Sequence, residues 1–482
     1  MFKFKSLISK ILTAGIVAAL CFNSTVMADE EFESASDAVG AIGAGWNLGN
    51  TLDSNGTWIK ASAGDFKAYE TAWGNPVTTK AMIDSVRDQG FNAIRIPVTW
   101  SQHIDGNGHV DQGWMKRVRE VVDYAYDDGL YVILNVHHDT GESGGDKVSW
   151  IFAENSTYDK TSNKFKGLWT DIANEFKDYG EKLLFEGYNE MLDSGNTWNA
   201  PKNSSSYEAV NKYAQLFVDT VRATGGNNAK RNIIVNTYVS SVDQQVLDNF
   251  KVPNDSAQGH MIIEVHCYHP WGFTGTKQSV TWTSVHNDFQ GGDKSEIDGI
   301  MSRLKAFSDK TKLPVIIGEY AAEFKNNEDQ IASYAGYFVD AAGKAGIKCF
   351  YWDNGDFKTS GEGGYAIFNR SSMTWKTSIV SAIVDAANKY VVAPSTPTPT
   401  PAEEPTESTE ETTIETTVET TEATTETTSV TPAGPTAAPV TPEDIEDQNS
   451  LVPFMIVDGF LVAIALTLVY MYVSKKGKRG NR

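Results

Sequence analysis

Two glutamates, Glu190 and Glu319, each close a short apolar, β-branched run, LLFEGYNE and VIIGEY. A carboxylic acid and a carboxylate on different strands can divide the work of cleaving a glycosidic bond. One protonates the leaving oxygen and the other attacks the anomeric carbon, a route that sets the two carboxyls ~5–5.5 Å apart. Other runs end on groups able to orient such a pair. Arg95 lies in the run from Phe91, His137 and His138 follow YVILNV, and Asn189 precedes Glu190. His266 and Tyr268 end MIIEVHCY, and Trp352 stands in the run from Lys348. Each has a plainer reading, since a glutamate after a strand often serves as a helix cap or a loop charge, and position alone does not make it catalytic. The chemistry follows only if the fold gathers the ends of these runs.

The runs are eight: residues 43–48, 91–98, 130–138, 183–190, 232–238, 261–268, 313–320 and 348–354. Between them lie stretches of helical period. In residues 114–127, Val118, Val121, Val122 and Ala125 recur at one face, and similar patterns cover 79–89, 207–224, 297–308 and 329–343. A doubly wound open sheet needs the same alternation, so the count of eight selects a closed (β/α)8 TIM barrel. In such a barrel the C-terminal strand ends converge on one face, where active sites lie. His137 and His138 are adjacent in one run, so alternation predicts that His138 faces away. That makes the pair a poor metal ligand set, and no metal or cofactor is expected.

The chain ends differ from its middle. Lys3, Lys5 and Lys10 precede an apolar run to Phe22 and a small-residue site ending at Ala28, which predicts a signal peptide over residues 1–28. A permanent N-terminal anchor would need a longer span, and lipid attachment at Cys21 would want a smaller residue than Leu20 before it. The folded part is expected over 29–393. From 394 to 450, Thr, Glu and Pro dominate and Lys and Arg are absent, so this segment is expected to be a disordered acidic linker. Residues 451–482 carry a hydrophobic stretch from Phe454 to Val473, then Lys475, Lys476, Lys478, Arg479 and Arg482. They read as a transmembrane helix with a basic cytoplasmic tail. The expectation is thus an exported monomer, anchored to the cell membrane by its C-terminal helix. The net charge of −21 opposes nucleic acid as a partner. Beyond the leader only Cys267 and Cys349 remain, too few for a disulfide framework.

The motifs GWNLGNTLD (45–53), FNAIRIPVTW (91–100), YVILNVHHD (131–139), LLFEGYNE (183–190), VHCYHP (265–270), VIIGEY (315–320) and FYWDNG (350–355) resemble, in order, the strand motifs of glycoside hydrolase family 5. The resemblance covers nearly all of residues 35–390. It implies a (β/α)8 barrel and a retaining mechanism, with Glu190 as general acid/base and Glu319 as nucleophile. It further implies that Asn189 holds the sugar 2-hydroxyl, that Arg95 and Tyr268 donate to Glu319, and that His266 and His137 orient the acid/base region and the sugar. Trp352 would form the stacking floor. Asn47 and Asn50 are expected as polar contacts at the cleft floor, and Trp73 and Trp271 as subsite rings. One departure is visible: the family's Asn-Glu-Pro reads Asn189-Glu190-Met191, which touches the loop rather than the proton transfer. The implied substrate is a β-1,4-glucan, with xyloglucan or mixed-linkage glucan in addition because GWNLGNTLD and AWGNP resemble a branch of broad glucan use. A β-mannanase on the same scaffold and a polysaccharide-binding surface protein that does not cut are the alternatives.

Overall fold

All eight runs form strands of one closed parallel barrel in the computed structural model, which describes residues 32–62 and 64–393. The strands are β1 (Ala44–Leu48), β2 (Phe91–Ile96), β3 (Tyr131–Asn135), β4 (Leu183–Glu186), β5 (Ile233–Asn236), β6 (Met261–His266), β7 (Val315–Tyr320) and β8 (Lys348–Asp353). Neighbours pair in sequence order, and β1 closes on β8 with Gly45 opposite Phe350 and Asn47 opposite Trp352. The leader, the linker and the C-terminal hydrophobic stretch lie outside the described residues. Among the described residues no helix is long and apolar enough to cross a membrane.

Strand alternation fixes what the barrel contains. Ala93, Ile133, Leu184, Ile234, Ile262, Ile316 and Phe350 form one buried apolar cluster with helix Ala35–Ala41. This is the packed layer expected inside such a barrel. Gly45 makes room for its largest member, since a Cβ there would sit 2.4 Å from the Phe350 ring. Two residues further along each strand the character changes. Asn47, Arg95, Asn135, Glu186, Asn236 and Glu264 are all fully buried. The upper interior of the barrel is therefore polar, and it underlies the C-terminal mouth.

The opposite strand faces pack on helices. Helix Gln112–Asp127 buries Trp114, Val118, Val121, Val122 and Ala125, and Asp111 caps its first turn by accepting from Gly113 and Trp114 N–H. The helical patterns read from sequence appear at Lys80–Asp88, Ser204–Ala223, Gly291–Thr311 and Glu328–Lys344. Helices Asn155–Glu175 and Thr377–Ala387 were not anticipated. Six strands stop earlier than their apolar runs, β3 and β4 by the most, ending at Asn135 and Glu186. The backbone beyond them stays tied to its neighbours, with His137 N–H donating to Val98 O (2.8 Å) and Asn189 N–H to Val136 O (2.9 Å).

Candidate active site

Glu319 owes its direction to a β-bulge. Ile316 faces the barrel interior, so strict alternation would point Glu319 outward. The β6–β7 register pairs Val265 with Ile317 but His266 with Glu319, leaving Gly318 as the extra residue. A bulge of this kind re-aims a side chain, and here it turns the carboxylate of Glu319 inward. Tyr320 is turned the other way, stacked on Phe338 of the surrounding helix with ring planes 1° apart.

Arg95 organises the polar layer. Its five N–H donors meet five acceptors. Nε donates to Glu186 Oε2 (2.6 Å) and Nη2 to Glu186 Oε1 (2.8 Å), while Nη2 also reaches Asn189 Oδ1 (2.8 Å). Nη1 donates to Glu319 Oε1 (2.8 Å) and to Asn47 Oδ1 (3.1 Å). Burial works against the guanidinium's charge, but Glu186, Glu264 and Glu319 override it and hold Arg95 well above its ordinary range.

Glu190 sits at the mouth, its side chain 16% exposed, and His266 Nδ1 lies 2.8 Å from its Oε1. One oxygen of Glu190, one of Glu319 and a nitrogen of His266 lie within 4.8 Å of one another. The second oxygen of Glu319 accepts from Tyr268 OH at 2.7 Å. Burial raises Glu190 above the usual carboxyl range despite His266, the direction wanted in a proton donor. Burial alone would depress His266, but Glu319, Glu190 and Glu264 push it up to about 10. Burial first, then His138 and Arg95, keep His137 well below its ordinary value and hence neutral.

The ring of Trp352 lies parallel to His137, centroids 5.7 Å apart and planes 6° from coplanar. Trp271 stacks on Tyr268 and meets Trp282 edge-on. Trp73 is half-buried across the mouth, its indole N–H donating to Asn55 O and its ring tilted on His138. Trp100, in contrast, is fully buried and donates to Asn135 O.

Three readings need correction or refinement. His138 does not face away from His137: the rings are 4.5 Å apart and His138 Nε2 is 3.8 Å from Asp53 Oδ2. Both histidines lie past the end of β3, where strand alternation no longer applies. With Asp53 they form a cluster of ligand-type atoms, but the two Asp53 oxygens already accept the Asn50 and Thr51 N–H groups. Asn47 and Asn50 build the floor from beneath. The Asn47 carboxamide bridges Arg95 and Gly318 O. Asn50 supplies a left-handed turn at φ 57°, which asparagine tolerates, and its carbonyl accepts from Asn75.

Sequence reading passed over Glu186, Glu264, Asn135 and Asn236. Asn135 and Asn236 both donate to Glu186 Oε1. The available signal was a polar residue at an interior position of four successive strands, LN, FE, VN and IEV, where alternation calls for an apolar one. Met191, the departure from the family motif, is fully buried, and its carbonyl accepts from Val239 N–H.

Paired carboxyls at the C-terminal mouth of an eight-stranded α/β barrel, flanked by aromatic rings and held by an arginine on one and a histidine on the other, define a glycosidase-type site. Comparison with known proteins identifies the group. The family model described as Cellulase (glycosyl hydrolase family 5) matches residues 52–358, and the chain belongs to that family. It is 40% identical over 347 residues to endoglucanase A of Clostridium longisporum, covering 71% of this chain and 63% of the relative's length. It is 39% identical over 364 residues to endoglucanase A of Ruminococcus albus, covering 73% of this chain and 93% of the relative. Among solved structures, a broad specificity endoglucanase from Ruminococcus champanellensis with bound cellotriose superposes with TM-score 0.66 at 36% identity, covering 73% of this chain and 98% of that one. A family 5 enzyme from Prevotella bryantii B14, solved as a mutant with a xyloglucan tetradecasaccharide, gives TM-score 0.65 at 42% identity, covering 74% and 99%. The chain is a glycoside hydrolase, and its relatives support action within β-glucan chains.

Proposed function

We propose that this chain is a retaining endo-β-1,4-glucanase that cuts cellulose or related β-glucans, with mixed-linkage glucan and xyloglucan as further substrates. The observation that carries the reading is the approach of Glu190 and Glu319, with an oxygen of each within 4.8 Å. That favours the retaining spacing of ~5–5.5 Å over the ~6.5–9.5 Å that leaves room for a water in inverting enzymes. The broad specificity of the Ruminococcus champanellensis enzyme and the xyloglucan bound by the Prevotella bryantii enzyme support the substrate range.

Each residue then has a task. Glu319, steered by Arg95 and Tyr268, attacks the anomeric carbon while Glu190 protonates the departing oxygen. The glycosyl ester on Glu319 is released by a water that Glu190 deprotonates in its turn. Asn189, fixed by Arg95, reaches the 2-hydroxyl beside the nucleophile, and that hydrogen bond strengthens as charge develops at the anomeric carbon. Trp352 carries the sugar face, with Trp271 and Trp73 on either side of it.

The test is a product profile on cello-oligosaccharides with the anomeric form followed by NMR. Retention is expected, with Glu319→Ala abolishing turnover while preserving binding, and azide restoring part of the activity of Glu190→Ala. Initial formation of the inverted anomer overturns the mechanism. Activity on galactomannan alone makes the protein a mannanase, and binding without any hydrolysis makes it an adhesin. In the same proposal the leader exports the enzyme and residues 451–482 hold it at the cell membrane as a monomer. Recovery of the active chain in the soluble fraction would refute that part.

A further inference from the structure

We propose that Glu264 is a positioning residue kept as a neutral carboxylic acid, its proton on Oε2 directed at Asn236, so that Oε1 accepts from His266 and holds that ring against Glu190. The proposal rests on the roles given above to Glu190 and Glu319 and adds a third carboxyl that never meets the sugar.

Three features of the geometry support it. Glu264 Oε1 lies 3.1 Å from His266 Nε2 and 3.3 Å from Arg95 Nε, while Oε2 is buried with no partner among the described residues. Asn236 stands directly opposite Glu264 in the β5–β6 register, and its Oδ1 is also buried and unpartnered. The orientation of that amide is fixed, because its Nδ2 donates to Glu186 Oε1 and to Ser240 Oγ. Two buried acceptor oxygens without partners on register-paired residues of adjacent strands are unfavourable, and one proton between them satisfies both.

The second feature is charge. Arg95 from β2 and His266 from β6 are the cations facing Glu264. The carboxyls sharing them are Glu186 of β4, Glu190 from the loop after it, and Glu319 of β7; His137, from the β3 end, is neutral. Two cations already face three other carboxyls, so an ionised Glu264 would have no counter-charge of its own. Burial, reinforced by Glu186, pushes Glu264 up to about 7 against the pull of Arg95. The third feature is fit: a Cβ on Gly318 would stand 1.7 Å from Glu264 Oε1. The bulge that aims Glu319 inward thus opens the space that Glu264 fills.

Glutamine reproduces the neutral acid, its carbonyl accepting from His266 and its NH2 donating to Asn236. Glu264→Gln is therefore expected to keep kcat and KM within about threefold of the wild type at pH 6, because no hydrogen bond is lost. Glu264→Met removes the acceptor and is expected to lower kcat ~10-fold or more with KM little changed. Carboxyl 13C NMR of glutamate-labelled protein is expected to show at pH 6 an un-ionised carboxyl that Glu264→Gln removes. This reading uses no substrate, so it stands or falls apart from the glycosidase roles. A folded Glu264→Gln protein as impaired as Glu264→Met, or a spectrum unchanged by the substitution, overturns the proposal. If neither variant folds, Glu33→Gln/Glu190→Gln protein decides, since Glu33 is the other glutamate pushed up to about 7 and Glu190 is raised as well. An un-ionised glutamate carboxyl that persists at pH 6 in Glu33→Gln/Glu190→Gln protein supports the proposal, and its absence refutes it.

Discussion

Arg95→Lys keeps a positive charge in the barrel yet is expected to damage it severely. The guanidinium makes five hydrogen bonds, four of them to Glu186, Glu319 and Asn189 at 2.6–2.8 Å. An ammonium has three donors on a point charge, so at least two buried acceptors lose their partner. Hydrogen bonds to charged groups contribute ~1.5–3 kcal/mol each, which sets a loss of about 3 kcal/mol or more for the lysine variant. Arg95→Met removes the charge as well, and uncompensated buried carboxylates place its cost at ~3–5 kcal/mol. For a domain of this size a melting-temperature drop of roughly 6–10 °C is expected from that range. Because Asn189 and Glu319 lose their support together, kcat should fall ~10²-fold or more, about one decade per 1.4 kcal/mol. The assays are thermal melts and hydrolysis of a soluble β-glucan for both variants. Acidification offers an internal control: it neutralises the orphaned carboxylates, so the melting gap between Arg95→Met and the wild type should narrow at low pH. An Arg95→Lys protein that melts within a degree of the wild type and turns over at a similar rate refutes the five-donor argument.

Two further outcomes follow from the same site. Trp271→Ala removes the ring stacked on Tyr268, and on an aromatic contribution of ~0.5–1.5 kcal/mol it should raise KM for cellotetraose roughly 2–10-fold with a smaller effect on kcat; a pure kcat effect would assign Trp271 to positioning Tyr268 instead. His266 is pushed up to about 10 in the folded protein, above its unfolded value, so its charge contributes stability that is complete below about pH 6.5 and is lost as pH rises towards 10. The difference in melting temperature between wild type and His266→Gln should accordingly be larger at pH 6 than at pH 10, and a difference that grows with pH would show that the ring is neutral.

The barrel was legible because its evidence is redundant. Eight apolar runs alternating with helical stretches do not depend on any one residue, and continuous burial on both strand faces made their existence safe even where β3 and β4 stop short of the predicted ends. Glu190, Glu319, Arg95, Tyr268 and His266 were legible as a group because each ends or interrupts such a run. His138 was misread for the opposite reason: alternation was extended past Asn135, where the chain had already left the strand. The inward turn of Glu319 was not derivable from pattern at all. It depends on a register slip at Gly318, and nothing in VIIGEY distinguishes a bulge glycine from one needed for close packing.

Glu186 and Glu264 were missed because a charged residue near a strand end is usually solvent-exposed, and only three-dimensional closure of the sheet makes these two interior. Their cost is considerable, since each buried carboxyl needs hydrogen-bond partners and either a counter-charge or its own proton. A fold that needed only stability would have continued the layer of Ile133, Leu184, Ile234 and Ile262 upward. That it instead places Asn135, Glu186, Asn236 and Glu264 there means that the rigidity of Arg95 and His266 is what the layer provides. Arg95 touches both Glu319 and Asn189, and His266 touches Glu190, so the residues assigned to attack, to the 2-hydroxyl and to proton transfer share one buried support. Substitutions in that support should alter kcat without removing any group that meets the sugar, because they move the attacking oxygen and the proton donor relative to one another.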